Sequence, residues 1–517
     1  MEVNFVSFEE KIGKIMMIGI PGTSLDEETK DLLLEVKPGS IILFSRNIES
    51  PKQVKKLIDD INNLMPFKPA IAVDQEGGIV TRLKDGFTVS PGTMAITATG
   101  NSENCKQIAK IMAKEMKALG INWNLAPVVD INNNPNNPGI GVRSFSDDAE
   151  IVVEYATKFV EGMREEGVMS CLKHFPGKGR VNVDAHVDLP ELGISKEELM
   201  KTELKPFKEV PADSIMPSHI FITALQKDKK PCSLSKEILI DLARTELKYE
   251  GVLLSDDLGM GGVSNYFTPE EAAIESLKTG MDVLMYCHDT NIQKKVKKYL
   301  VEKVNNSIEL QKRVDESYER FEIFRKKAII EKEVSIEKIG SEENLSLIEK
   351  VTDESITAIL EENILPLNYS EIQNVLSIKL TRLVQVEDGP ESGIPYVAKY
   401  VHEKSKSDFF SFNANVSEND AEIIINKINF KGLTVLFSEN AHLYSGQKKL
   451  ISELAQKCEK FILIALRNPY DVFIPNVKNK LLTYGYQDIS QKSLIKVLEG
   501  KISPKGKIPV IITKGLN

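Results

Sequence analysis

Short apolar runs alternate with amphipathic helical patterns through the first 300 residues of the chain. Runs such as GSIILFS (39–45) and TGMDVLMY (279–286) have the length of buried strands and are flanked by Gly, Ser or Thr. Between such runs lie stretches like PKQVKKLIDDINNLM (51–65), where apolar residues recur every three or four positions behind a proline. The other predicted strands are 69–78, 122–132, 168–175, 213–220 and 250–257. This alternation predicts an α/β fold with a parallel sheet, and its length fits a TIM-type (β/α)8 barrel.

The pattern changes after residue 300. A charged, helical stretch runs to about residue 350, and a second alternation follows it. Its predicted strands are 374–380, 421–428, 432–438, 460–471 and 480–486, with a helix at 446–458. We therefore predict a TIM-barrel catalytic domain at 1–335, a linker at 336–350, and a smaller open α/β sandwich domain at 351–517.

Polar and charged side chains collect at the carboxyl ends of the predicted barrel strands. They are Asp74, Glu76, Asp130, Lys173, His174, His219, Asp256 and Asp257. Any one of them could be a helix cap or a solvated loop residue, but the carboxyl edge of a parallel sheet is where ligands bind. Their shared position predicts a binding site at this edge.

Composition and charge narrow the choice of partner. The 517 residues are 42% hydrophobic and 27% charged, and the net charge is −9. An acidic chain is a poor match for nucleic acid or an anionic membrane, whereas a small neutral ligand remains open.

The five cysteines are scattered, without metal-ligand spacing or a disulfide framework, and no dinucleotide or phosphate-binding glycine motif is present. We expect no metal and no organic cofactor. No uninterrupted apolar run is long enough to predict a transmembrane helix, and no signal-peptide pattern opens the chain. The cytoplasm is the expected compartment, with an extracellular location open if a signal segment has been removed.

Two adjacent carboxylates follow the strand in GVLLSDDLGM (251–260). Neighbouring side chains in extended backbone point to opposite sides, so one of Asp256 and Asp257 can face the barrel mouth while the other braces the loop. The same Ser-Asp-Asp sequence also makes a good helix N-cap, so this motif alone leaves both interpretations open.

The segment KHFPGKGRVNVDAHVDLP (173–190) carries the densest titratable chemistry of the chain. Asp184 and His186 are two residues apart, so in extended backbone they lie on one side and the carboxylate can hold one ring nitrogen. Such a pair can transfer a proton near neutral pH, although a coincidental pair in a surface loop is the alternative.

This segment resembles the signature of glycoside hydrolase family three, in its β-N-acetylglucosaminidase branch, and matches it without a gap from Lys173 to Pro190. Further stretches are similar to family motifs and follow the family's order along the chain. They are DQEGGIVTRL (74–83), NLAPVVDINNNPNNPGIGVRSFSDD (124–148), GVLLSDDLGM, LRNPYD (466–471), TYGY (483–486) and GKIPVII (506–512).

The resemblance implies a retaining glycosidase. It implies that Asp256 is the nucleophile and forms a covalent glycosyl-enzyme, that His186 is the general acid/base, and that Asp184 is its partner. His–Asp would then replace the acid/base carboxyl of the usual retaining pair. The positions that match sugar-binding residues are Asp74, Arg143, Lys173 and His174, and Arg82 and His219 are further candidates for the pocket. The implied substrate is a small carbohydrate, a terminal β-linked N-acetylglucosamine on peptidoglycan-derived fragments.

The chain also departs from the family pattern. Lys178 stands where the family usually has His, and we expect it to be a solvated or substrate-flanking amine. Arg180, Val181 and Ala185 also differ, as does Ile79, which replaces an Arg. These changes spare the nucleophile and the dyad but affect the loop and the leaving-group side.

Three alternatives remain. A β-glucosidase or β-xylosidase usually takes its acid/base Glu from the second domain and lacks the Asp-x-His loop. A phosphorylase would use phosphate in place of water on the same glycosyl-enzyme. A non-catalytic sugar-binding protein would be expected to have lost the nucleophile or the dyad, and both are present here.

Overall fold

The barrel expected for the first part of the chain is confirmed. The computed structural model describes residues 6–329, 334–382, 386, 387 and 392–511. Its first sheet has eight parallel strands: β1 (Met16–Gly19), β2 (Ser40–Leu43), β3 (Ala70–Val73), β4 (Trp123–Asn124), β5 (Met169–Phe175), β6 (Ser214–Pro217), β7 (Val252–Leu253) and β8 (Leu284–Tyr286). Consecutive strands are neighbours, β8 pairs with β1, and a parallel bridge between Leu254 and Val283 joins the remaining edges. The sheet is therefore a TIM-type barrel.

The pattern of apolar runs identified seven of these strands and missed β1, which begins two residues after the end of the helix Phe8–Lys14. The helices between and after the strands are Glu27–Val36, Pro51–Leu64, Thr93–Ala98, Ser102–Leu119, Ala149–Glu165, Lys196–Lys201, Lys205–Glu209, the π-helical Glu237–Glu246, Gly261–Ser264, Pro269–Lys278, Thr290–Asn305 and Ile308–Ala328.

Pro51–Leu64 shows why these helices form where they do. The Ser50 side chain accepts a hydrogen bond from the Gln53 amide, and Pro51 occupies the first turn, where its missing N–H costs nothing. Val54, Leu57, Ile58 and Ile61 recur on one face and are buried. The amphipathic pattern thus places the helix against the barrel wall.

The end of the barrel opposite the carboxyl ends of the strands is closed by aromatic side chains. Trp123, on β4, packs against Phe321 and Phe324 of the helix Ile308–Ala328 and donates its indole hydrogen to Ser214 Oγ at 2.9 Å. Trp123 is therefore a core residue and is fully buried.

The second domain is an open α/β sheet, as predicted. Its strands are β9 (Thr357–Leu360), β10 (Ile372–Thr381), β11 (Asp408–Asn413), β12 (Leu433–Ser438), β13 (Lys460–Ala465) and β14 (Asn479–Leu482), with a short strand Ser392–Gly393. The order along the sheet is β9, β14, β13, β12, β10 and Ser392–Gly393, while β11 also pairs with β10. β9 and Ser392–Gly393 run antiparallel to their neighbours and the other strands are parallel.

The helices of this domain are Tyr396–Ser405, Glu418–Ile425, Ser445–Lys457 and Asp488–Leu498, and Glu342–Ser355 precedes its first strand. The prediction of a strand at 421–428 was wrong, because Glu418–Ile425 forms a helix. Ser417 caps it by accepting the Asp420 amide, and Ala421 and Ile425 are buried one turn apart. The capping residue, rather than the run of isoleucines, decides the local structure.

Part of the barrel domain packs into the apolar core of the second domain. Ile79, Val80, Met94 and Val142 of the barrel domain lie in the same buried cluster as β10, β12, β13 and β14. Ile79, the position where the family usually has Arg, is 4% exposed. The interface therefore accounts for the apolar side chain at this departure.

Candidate active site

A cavity of about 590 Å³ lies at the carboxyl ends of the barrel strands. Most of the candidate residues from the sequence line it: Asp74, Arg82, Arg143, Lys173, His174, His186 and Asp256. Asp184 stands behind His186, and His219 lies behind Asp257. Arg382, Val386 and Glu387 complete the lining from the second domain, so both domains form this cavity.

Glu76 holds two cations of the cavity in place. Arg143 donates from Nε and Nη2 to its two carboxylate oxygens, each at 2.8 Å, and Lys173 Nζ lies 2.7 Å from Oε1. Lys173 also donates to Asp74 Oδ1 at 2.6 Å. Burial alone would raise the pKa of Glu76, but Arg143 and Lys173 outweigh it and hold that pKa at about 2. The result is a charged, hydrogen-bonded set of side chains suited to the hydroxyls of a sugar.

Asp130 is a second buried carboxylate that organises the cavity. It accepts from His174 Nδ1 at 2.7 Å and from the backbone amides of His174 and Lys178 at 3.1 and 2.7 Å. Burial raises the pKa of Asp130 to about 6. Burial, together with nearby cations, also lowers the pKa of His174 well below its usual value, so the ring is neutral and its Nε2 remains an acceptor.

His186 and Asp184 form the hydrogen-bonded pair that their spacing predicts. Asp184 Oδ1 accepts from His186 Nδ1 at 2.7 Å and from the His186 backbone amide at 3.0 Å. Burial would raise the pKa of Asp184, but the hydrogen bonds and charge of His186 prevail and hold it at about 2. Asp184 is thus an anion that fixes the imidazole tautomer, leaving Nε2 for proton transfer.

The loop carrying this pair is docked on the segment that follows β7. Gly261 N donates to the His186 carbonyl at 3.2 Å, and Gly262 N donates to the Ala185 carbonyl at 2.9 Å. A Cβ on Gly261 would lie only 2.6 Å from the carbonyl oxygen of Val187. A glycine is therefore required for the loop to approach so closely.

Asp256 and Asp257 divide their roles as the alternation of an extended chain suggests. Asp256 is partly open to the cavity, and within the described part of the chain its one hydrogen bond is from the Asp257 amide, at 2.9 Å. Burial opposes its ionisation, but His219, Lys178 and His186 outweigh burial and lower the pKa of Asp256. Asp256 is therefore an anion that faces the cavity.

Asp257 holds the loop that follows β7 in place. It accepts from the amides of Gly259 and Cys287 at 3.0 and 3.4 Å, and burial raises its pKa to about 6. His219 supports it from behind, donating from Nε2 to the Asp257 carbonyl at 3.0 Å while Nδ1 bonds Ser233 Oγ at 2.7 Å.

At two of the positions that depart from the family pattern, the side chain does not line the cavity. Arg180 forms ion pairs with Glu203 and, at 2.9 Å, with Glu198, which fastens its loop to the helices after β5. Ala185 is buried, and its carbonyl accepts from Gly262. Lys178, in contrast, is buried and lines the cavity instead of being solvated.

Sequence reasoning placed Glu76 and Asp130 at the sheet edge but assigned them no role in the site. It did not identify Arg46 or the second-domain residues Arg382 and Glu387, which also line the cavity. Arg46 donates to the carbonyls of Ile20 and Cys287 at 3.0 and 2.7 Å. The strand-end position was the available signal for Glu76 and Asp130, whereas nothing in the local sequence marks the other three.

Within the described ranges, no three His, Cys, Asp or Glu side chains are arranged to hold a metal ion. None of the helices in those ranges combines the length and the apolar character needed to cross a membrane. The cavity thus offers a carboxylate, an imidazole with a carboxylate partner, and several fixed hydrogen-bonding groups.

Comparison with known proteins gives consistent results. The family model for the N-terminal domain of glycosyl hydrolase family 3 matches residues 7–323. A beta-hexosaminidase of Haemophilus influenzae is 36% identical over 282 residues, which cover 53% of this chain and 79% of that protein. Beta-hexosaminidase A of Pseudoalteromonas piscicida is 35% identical over 286 residues, and this chain spans only about half of its length (48%).

A solved structure matches almost the whole chain. The glycoside hydrolase family 3 beta-N-acetylglucosaminidase from Paenibacillus sp. FPU-7 is 30% identical, with 98% of this chain and 99% of that chain covered. The TM-score is 0.86, so the similarity extends through both domains.

Proposed function

Since the chain belongs to glycosyl hydrolase family 3, we propose that this glycoside hydrolase is a retaining, exo-acting β-N-acetylglucosaminidase. The relatives named beta-hexosaminidase and beta-N-acetylglucosaminidase support the choice of amino sugar. The observation that carries the proposal is the presence of Asp256 and the Asp184-bound His186 at one cavity.

In the proposed reaction, the sugar's hydroxyls bond to the residues held by Glu76 and Asp130. Asp256 attacks the anomeric carbon, while His186, which enters this step as the imidazolium with its Nδ1–H on Asp184, donates its Nε2 proton to the oxygen of the leaving group. The C1–O bond breaks, and a glycosyl ester on Asp256 forms. His186 then takes a proton from water, whose oxygen bonds to C1 and releases the Asp256 carboxylate. Two inversions give retention of configuration.

Peptidoglycan-derived fragments are the proposed source of the substrate, on the basis of the family branch that the 173–190 segment resembles. The cytoplasm is the proposed compartment, because all five cysteines are unpaired thiols, as a reducing environment favours.

The test compares wild type, Asp256→Ala and His186→Ala on a chromogenic β-N-acetylglucosaminide, with the β-glucoside as the control substrate. Asp188→Asn is a matched control, because Asp188 lies in the same loop but is exposed and bonds Tyr266. We expect kcat to fall about 10⁴-fold or more in Asp256→Ala and about 10²- to 10⁴-fold in His186→Ala, with Asp188→Asn close to wild type.

Two further measurements separate the roles. Azide should restore turnover to Asp256→Ala and give the glycosyl azide of inverted configuration, since a small anion can replace the lost carboxylate. Proton NMR of the wild-type reaction should show the β-anomer first. Appearance of the α-anomer first, or full activity in Asp256→Ala, would rule out the proposed mechanism, and a preference for the glucoside would rule out the amino-sugar assignment.

A further inference from the structure

Lys178 is a buried ammonium group at the cavity that takes part in no bond change or proton transfer of the proposed hydrolysis. It lies in the turn after β5 and is 6% exposed. Its backbone is fixed, because its amide donates to Asp130 and its carbonyl accepts from Asn137 Nδ2 at 2.8 Å. Among the residues that the structure describes, none forms a hydrogen bond or an ion pair with its Nζ.

The contrast with the other deeply buried cations of the cavity is sharp. Lys173 has two carboxylates within 2.7 Å, and Arg143 has a bidentate bond to Glu76. Burying an ammonium without a partner is costly, and burial lowers the pKa of Lys178. Asp256 and Asp130 act on Lys178 through charge, but neither forms an ion pair with it. Among the described residues, the Lys178 ammonium therefore has carboxylates near it but no hydrogen-bonded or ion-paired partner.

This charge also matters for the chemistry. Cleavage of a glycosidic bond passes through a transition state in which the sugar ring becomes positive. An ammonium without an ion-paired partner, lining the same cavity, opposes that charge unless an anion binds directly to it. An ammonium is a strong partner for carboxylate and phosphate oxygens.

We propose that Lys178 is an anion-binding residue of this cavity and holds an oxyanion during turnover. The oxyanion is either free orthophosphate or an anionic substituent on the part of the substrate next to the cleaved bond. This inference rests on the proposed glycosidase function for its role in turnover, but not for the binding of the anion itself.

Each source has a definite chemical consequence. With free phosphate, an oxygen of HPO₄²⁻ bonds to C1 of the glycosyl-enzyme as the C1–O bond to Asp256 breaks, and the electron pair returns to the carboxylate. The phosphate proton then moves to His186, which restores the acid, and the product is a sugar 1-phosphate. With an anionic substituent, Lys178 instead selects charged over neutral leaving groups while water completes the reaction.

The binding test uses the full chain and orthophosphate, so it does not depend on turnover. Titration calorimetry at constant ionic strength compares wild type with Lys178→Met, which keeps the length and removes the charge, and Lys178→Arg, which keeps the charge. Lys205→Met is the control for loss of a lysine, because Lys205 pairs with Glu150 outside the cavity. We expect phosphate affinity to fall about tenfold or more in Lys178→Met alone.

Thermal stability gives an independent measurement. Removing an unpaired buried charge should leave the Tm of Lys178→Met equal to or above that of wild type without phosphate, and phosphate should raise the Tm of wild type and Lys178→Arg only. A large loss of Tm in Lys178→Met, or phosphate binding equal to wild type, would overturn the proposal. Lys178→Gln serves if Lys178→Met does not fold.

Turnover distinguishes the two sources. Formation of a sugar 1-phosphate that is lost in Lys178→Met identifies phosphate as the acceptor. Competitive inhibition by phosphate, with a carboxylate-bearing substrate preferred about tenfold over its methyl ester in wild type only, identifies the substituent. If wild type binds phosphate through Lys178 but cleaves no glycoside, the anion site stands and the proposed function fails. If neither phosphate nor the carboxylate has any effect that depends on Lys178, the anion site itself is refuted.

Discussion

At the scale of single residues, the Glu76 carboxylate fixes the positions of the charged side chains that line the cavity. It neutralises both Arg143 and Lys173 while being 3% exposed. Removing one member of a buried ionic group leaves its partners charged and desolvated, which costs far more than the net value of the interaction. Glu76 should therefore matter for both binding and stability, although it makes no step in the proposed reaction.

We expect Glu76→Gln to reduce the free energy of unfolding by about 3–5 kcal/mol and to lower kcat/KM about 100-fold, because Arg143 and Lys173 lose their fixed positions. Urea unfolding and steady-state kinetics measure the two effects. Glu165→Gln is a matched control, since Glu165 also has a pKa of about 2 but owes it to surface lysines. An unchanged kcat/KM in Glu76→Gln would contradict the role given to this carboxylate.

The raised pKa of Asp257 makes the stability of the folded protein depend on pH. Burial raises its pKa from 3.8 to about 6 in the folded state, so the folded protein binds the proton more tightly than the unfolded chain does. This group therefore contributes stability below about pH 4, and the contribution is lost as the pH rises through about 6. Asp257→Asn cannot titrate. The stability of wild type relative to the variant should fall by about 2 kcal/mol between pH 4 and pH 7.

The sole tryptophan, Trp123, lies in the barrel and is the fluorescent reporter for this measurement. The control is Asp188→Asn, whose carboxyl is exposed. A difference between wild type and Asp257→Asn that is constant with pH would show that Asp257 does not titrate in this range.

At the scale of elements, the second domain supports the loop that carries Arg143. Asn468 Oδ1 accepts the Val142 amide at 2.9 Å, Tyr470 Oη donates to the Asn132 carbonyl at 3.2 Å, and His442 Nε2 donates to the Pro135 carbonyl at 2.9 Å. These bonds span the loop between β4 and the helix Ala149–Glu165. The second domain thus positions a sugar-binding candidate that belongs to the barrel.

Asn468→Ala should leave the Val142 amide buried without an acceptor and loosen Arg143. We expect KM to rise about tenfold with a smaller change in kcat, because the lost bond, worth about 1–3 kcal/mol, serves binding more than chemistry. Steady-state kinetics of Asn468→Ala are compared with those of Asn363→Ala, an exposed position of the same domain. Equal KM values in wild type and Asn468→Ala would show that the loop holds Arg143 unaided.

At this scale, contacts within a short segment could be predicted from the sequence, whereas contacts between distant segments could not. The Asp184–His186 contact could be predicted because both residues lie in one short segment, and the strand ends could be placed because apolar runs define them. The Asn468–Val142 bond could not be predicted, because its partners are 326 positions apart and no pattern links them. The helix at Glu418–Ile425 was missed because three isoleucines suit a strand as well, and only the cap at Ser417 distinguishes the two.

At the scale of the whole molecule, the two domains are joined by a shared apolar core rather than by surface contacts alone. Ile79 and Met94 belong to the same buried cluster as Tyr484 and Leu466. The sequence marked Ile79 only as a departure from the family's Arg, because most members of its buried cluster lie far along the chain, in the second domain. The domain boundaries remain predictions. The predicted linker contains the turn Ile336–Lys338 and part of the helix Glu342–Ser355.

Ile79→Asp should separate the unfolding of the two domains. A carboxylate placed in this core costs about 3 kcal/mol or more, whereas Ile79→Val removes one methylene and costs about 0.5–1.5 kcal/mol. We expect one calorimetric transition in wild type and Ile79→Val, and two in Ile79→Asp, with Trp123 fluorescence following only the barrel. A single transition at the wild-type temperature in Ile79→Asp would show that this core does not couple the domains.

The bonds between the loop 132–147 and the second domain also bear on how such proteins can be recombined. If the second domain were exchanged for that of a relative, a crossover placed in the linker would separate Val142, Asn132 and Pro135 from the partners they have here. The second domain and this loop of the barrel must therefore be exchanged together. Chimeras that carry both should keep sugar affinity, and those divided at the linker should lose it even though each half is intact.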